Sequence, residues 1–85
     1  MDSLEKLINI CQAYINSNFG IEEFQRRLEM ITLPDEYKNS LERDQHNAVN
    51  KLEKISYCYL PENQKKYADI VAQEMMHATE VLLKR

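Results

Sequence analysis

The stretch YKNSLERDQHNAVNKLEKISYCY, residues 37–59, decides the fold. Counted at about 100° per residue, Tyr37, Leu41, Ala48, Leu52, Ile55 and Tyr59 fall within one arc of roughly 60°, the narrow apolar stripe of a long amphipathic helix. Such a stripe is stable only when covered. The rest of the chain must therefore supply the elements that pack on it.

The chain has 85 residues, 44% of them hydrophobic, enough for one small core and not for two. A single domain over residues 1–85 follows. One glycine and two prolines leave few places to turn, which favours a few long helices over many short strands. The net charge of −3 argues against a nucleic-acid partner, since phosphate contacts need clustered Lys and Arg. A basic protein surface is the natural complement. No segment approaches the roughly 20 apolar residues of a membrane span, and Met1 to Leu7 carries Asp2 and Glu5 rather than a basic leader. The expectation is a cytoplasmic protein with no membrane partner. Cys11 and Cys58 form no CxxC pair and read as reduced core thiols, with a disulfide between helices as the less favoured alternative.

Outward from the central helix, the pattern predicts three more. Asp2 or Ser3 can cap a first helix with Leu4, Leu7, Ile8, Cys11, Tyr14 and Ile15 on its buried side, ending near Asn16. Residues 16–20 read as a turn in which Gly20 is free to take positive φ. A second helix, Ile21 to about Ile31, carries Ile21, Phe24, Leu28 and Ile31 inward, and Glu22 and Glu23 each stand four residues before an arginine, Arg26 and Arg27. Pro34, Asp35 and Glu36 open the long third helix, which runs to Tyr59 or Leu60. Beyond Pro61, Glu62 and Asn63 lead into a fourth helix with Tyr67, Ile70, Val71, Met75, Ala78, Val81 and Leu82 inward. The predicted fold is all-α, a compact antiparallel four-helix bundle with helices 3 and 4 as its hairpin.

Tests for chemistry come out negative. Glu74 and His77 have the Glu-x-x-His spacing of di-iron bundles, but that architecture needs a second such pair and two more inward glutamates. Asp44 falls within the apolar arc of helix 3 and Glu74 within that of helix 4. They could meet near His77 as a polar or metal cluster, or remain solvated or paired with Arg26, Arg27 or a tyrosine hydroxyl, and the second reading is preferred. Cys58 has no histidine in reach to make it a nucleophile, and one glycine cannot form a phosphate loop. No enzyme activity, cofactor or metal is expected. What remains is surface: Glu42, His46, Val49, Glu53, Tyr57 and Leu60 lie opposite the core arc of helix 3. Scattered apolar residues on a solvated face would look like this, and so would an aromatic anchor set among charges. Met76 and Leu83 suggest a weaker second patch on helix 4.

The phrase Gly20-Ile-Glu-Glu-Phe-Gln-Arg-Arg-Leu28, the phrase Ala48-Val-Asn-Lys-Leu-Glu-Lys-Ile-Ser-Tyr57 and the following Pro61 resemble the colicin D immunity family of small bacterial self-protection proteins. The segment after Pro61 departs from that pattern, being a regular helix with several lysines. The resemblance implies an immunity protein that occludes a cognate basic toxin, a nuclease domain attacking transfer RNA, in the cytoplasm. Carried over to this sequence, it implies partner contacts at Glu53, Glu62 and Tyr57, with Glu42 and Asp44 secondary. Two alternatives stay open: immunity against a pore-forming bacteriocin, and a generic helical adaptor that forms a homodimer.

Overall fold

Four helices dominate the computed structural model, which describes residues 3–84: α1 (Ser3–Ile15), α2 (Ile21–Met30), α3 (Asp35–Cys58) and α4 (Pro61–Leu83). They form the four-helix bundle the spacing predicted, with no strand among the described residues. At 1.5 Å per residue, the 24 residues of α3 run about 36 Å. That length sets the 38 Å long axis of the molecule. Around the bundle, α1 packs on α2 and α4, and α3 packs on α2 and α4, so α1 and α3 stand on a diagonal. Neighbours are antiparallel: Lys65 at the start of α4 meets Tyr14 and Ile15 at the end of α1, and Lys51 of α3 meets Glu74 of α4.

The core of α3 is Leu41, Gln45, Ala48, Leu52 and Ile55, a seam with alternating spacings of four and three. Tyr37 is only half-buried, and Tyr59 leaves the core to stack on Tyr67 at 4.3 Å, 42% exposed. In α1 the buried residues are Leu4, Leu7, Cys11 and Tyr14, and in α2 Phe24 and Leu28. Tyr14 stacks on Phe24 with ring centroids 4.4 Å apart, and Phe19 of the intervening turn tilts against both. For α4 the expected inner arc is rotated. Ile70 and Val81 are 46% and 42% exposed, while Ala68, Ala72 and Thr79 are fully buried beside Val71 and Met75. Small side chains let α4 approach α1 and α3 closely, and Thr79 hides its hydroxyl by donating to the Met75 carbonyl at 2.7 Å.

Two turns also differ from expectation. Gly20 takes φ −83° as the N-cap of α2, and Ser17 occupies the left-handed region at φ 66°. Ser17 N–H donates to Tyr14 O at 2.9 Å and Asn18 N–H to Ala13 O at 3.0 Å, the bond pair of a Schellman helix end. That motif places the left-handed residue just past α1, three positions before the glycine. Pro61 is the first residue of α4, preceding the expected start, because its missing N–H is one of the unpaired donors of a helix N-terminus. The expected Asp2 cap lies outside the described residues. Ser3 does not cap; its hydroxyl donates to Thr32 O at 3.1 Å, tying α1 to the α2–α3 turn.

Three helix C-termini are closed by side chains from other segments. Lys65 Nζ donates to Tyr14 O and Ile15 O at 3.0 and 3.2 Å, lies 4.5 Å from the Tyr14 ring centroid and pairs with Asp69. Gln45 Nε2 donates to Leu28 O and Ile31 O at 2.6 and 2.9 Å, closing α2. Gln64 Nε2 donates to Ser56 O and Tyr59 O at 3.3 and 3.0 Å, closing α3.

Ser17→Gly should stabilise the protein by about 0.5–1 kcal/mol, because glycine relieves the left-handed strain at some cost in unfolded-chain entropy. Thermal melting would rise by several degrees, and a lower melting point would contradict the left-handed assignment. Gln45→Leu should cost about 1–3 kcal/mol by stranding carbonyls at the end of α2. A urea midpoint equal to wild type would show that those carbonyls do not need the carboxamide.

Candidate functional site

Because Leu41, Gln45, Ala48 and Leu52 fix the phase of α3, Glu42, His46, Val49 and Glu53 fall along one flank at spacings of four, three and four. The short α2 ends beside this flank, and residues 31–34 run on past it. Between them opens a groove of about 470 Å³, lined by Glu42, His46, Val49 and Glu53 of α3 and by Glu29, Ile31 and Leu33 opposite. Gln45 and Lys38 also line it. Tyr57 stands one turn beyond Glu53 and is 82% exposed; Leu60 is 62% exposed and Glu62 lies exposed in the first turn of α4.

The structure thus brings Glu42 and Glu53 to one groove, places Tyr57 in line with them, and puts Glu62 just past the α3–α4 turn. Asp44 belongs elsewhere. It lines a smaller groove of about 140 Å³ between α3 and α4, with Lys51 and Glu74. Asp44, Glu74 and His77 are all exposed, so they form no buried polar cluster. Glu74 pairs with Lys51 at 3.3 Å rather than with an arginine, and at side-chain exposures of 55% for the lysine and 59% for the glutamate such a pair contributes about 0–1 kcal/mol. The polar residue buried on α3 is Gln45: it fits the alternating four-three repeat, whereas Asp44 breaks it. Among the described residues no group of three or more His, Cys, Asp or Glu side chains is placed to hold a metal ion.

Electrostatics around the groove favour an electropositive visitor. Lys38 is turned to Asp35 at 3.4 Å, and Glu42 has His46 Nε2 at 4.0 Å. Further along α2, Glu23 pairs with Arg27 at 2.7 Å as the spacing predicts, and it also takes Arg26 at 2.7 Å, which the spacing assigns to Glu22. Arg27 and then Arg26 hold the Glu23 carboxyl below its ordinary value. Those arginines are therefore committed to a surface pair, and Arg27 also lies over the Phe19 ring at 4.5 Å.

The two cysteines are free and differ in setting. Cys11 is buried, which pushes its thiol up to about 12. Cys58 is exposed, so the expectation of two core thiols is corrected for it: Leu52 and Ile55 are the last buried residues of α3, and Cys58, its final residue, lies past the end of the core. Burial, followed by the Asp69 charge, likewise raises Tyr14 to about 12, so neither Cys11 nor Tyr14 is primed as a nucleophile or base.

Sequence reasoning missed Gln45, Glu29 and Lys38 as groove residues. Strict four-three alternation from Leu41 identifies Gln45 as a seam position; nothing local to Glu29 or Lys38 marks them, because the extended turn at residues 31–34 sets how α2 lies on α3. No described helix is long and apolar enough to cross a membrane. No family model matches the chain, and no curated protein or solved structure matches it.

Alkylation of the native protein with iodoacetamide should modify the exposed Cys58 and leave the buried Cys11 untouched until denaturant is added. Equal native labelling of both would contradict the burial of Cys11.

Proposed function

We propose that this chain is an immunity protein that binds and neutralises a basic toxin domain, a nuclease directed at transfer RNA, in the cytoplasm. The observation that carries the reading is the outer flank of α3. Glu42 and Glu53 line an open groove, and Tyr57, almost wholly exposed, continues the same flank by one turn. Carboxylates of this kind occupy the basic surface that would hold RNA phosphates, and an aromatic residue beside them supplies apolar contact area. Glu62 extends the acidic surface across the α3–α4 turn. The resemblance of residues 20–28 and 48–57 to the colicin D immunity family supports the choice of partner.

Charge is the decisive variable. Glu53→Lys with Glu62→Lys should slow association with a basic nuclease domain retained from the native lysate and weaken binding roughly tenfold or more at low salt. Melting temperature should stay near wild type, since both residues are exposed. Asp44→Lys, placed on the α4 side, should leave binding near wild type. Retention of the partner by the double variant as strong as by wild type would show that this flank is not the interface.

A further inference from the structure

Only one side of the Gln45 carboxamide is engaged. The residue is 9% exposed, and both donors of Nε2 are used on Leu28 O and Ile31 O. Its carbonyl Oε1 accepts no hydrogen bond from the described residues, and Gln45 lines the groove. Gln45 thus brings to the groove an acceptor that is open to solvent, beside the carboxylates of Glu29, Glu42 and Glu53. Lys38, the one Lys or Arg among the described residues lining that groove, is drawn to Asp35. Val49, half-buried on α3, and Ile31, half-buried across the groove, supply apolar wall.

Acceptors outnumber donors here, and they are spread over more than one turn of α3. An ammonium satisfies such a site as a point charge. A guanidinium presents five donors in a flat fork, can reach a carboxamide oxygen and a carboxylate together, and sheds water more readily beside aliphatic side chains. We propose that this groove receives an arginine side chain of the basic partner, its guanidinium donating to Gln45 Oε1 and the Glu42 carboxylate and its aliphatic stem lying over Val49. The proposal rests on the reading of the α3 flank as a partner surface and names what that surface recognises. Glu53, about three turns along α3 from Glu42, stands at the far end of the groove and steers the approach rather than gripping the head group.

The test needs no toxin. Uniformly labelled protein is titrated at low salt with three blocked tripeptides, acetyl-Gly-X-Gly-amide, in which X is arginine, lysine or the uncharged isostere citrulline. Saturable shifts of the Gln45 carboxamide and the Val49 methyls with the arginine peptide are expected, at an affinity roughly tenfold above lysine and citrulline. Glu42→Gln should weaken that binding by a similar factor. Val49→Lys should abolish it by placing a cation in the groove. Because Val49 also packs against the core, the variant's melting temperature is read alongside, and Glu42→Gln, at an exposed position, carries the test if the lysine variant is destabilised. Equal response to all three peptides, or shifts scattered over the acidic surface with Gln45 unmoved, would overturn the proposal. Loss of partner binding in the Glu53 and Glu62 double variant, together with an unmoved Gln45, would leave the immunity reading standing and remove only the arginine site. A selective arginine response with no basic partner retained would do the reverse.

Discussion

Helix ends in this protein are held by borrowed hydrogen bonds. A helix leaves its last four carbonyls without intrahelical partners, and a following glycine often helps to close them. The chain has one glycine, and it begins α2 rather than ending a helix. Ser17 takes the left-handed position after α1, and long polar side chains complete the closure: Lys65 for α1, Gln45 for α2 and Gln64 for α3. Gln45 matters most, because it is buried and joins two helices that must lie side by side for α3 to be covered. With its two donors fixed, the end of α2 and the turn at residues 31–34 are registered against the middle of α3.

From that registration the surface follows. The ten residues of α2 cover only part of the much longer α3, and where α2 stops a groove opens along the flank bearing Glu42, Val49 and Glu53. The same residue that closes the helix also lines the groove. On the proposed reading, structure and recognition share one residue. An arginine bound as proposed would meet a carboxamide already held by its two donors, so little ordering entropy would remain to be lost on binding.

The fold was legible from apolar spacing at Leu4, Leu7, Cys11 and Tyr14, at Phe24 and Leu28, and along α3, where large side chains dominate the signal. On α4 it was blurred. Ala68, Ala72 and Thr79 carry little hydrophobicity, yet they are buried because small residues permit close helix approach, while Ile70 and Val81 drew the expected arc toward solvent. Of the site, Glu42, Glu53 and Tyr57 could be placed on one flank from helical phase alone. Their groove could not, since it depends on how an extended four-residue turn lays α2 on α3. The Schellman end at Ser17 was hidden for a related reason: glycine is the usual signal for a left-handed residue, and here it stands three positions too late.

Hydrogen exchange of the Gln45 side-chain carboxamide is the most direct measure of this arrangement. Both Nε2 protons are bonded to Leu28 O and Ile31 O, so they should exchange far more slowly than those of the exposed Gln73, at a rate set by opening of the α2–α3 contact. Exchange as fast as that of Gln73 would mean that Gln45 does not close α2, and that neither the registration of α2 on α3 nor the groove derived from it stands.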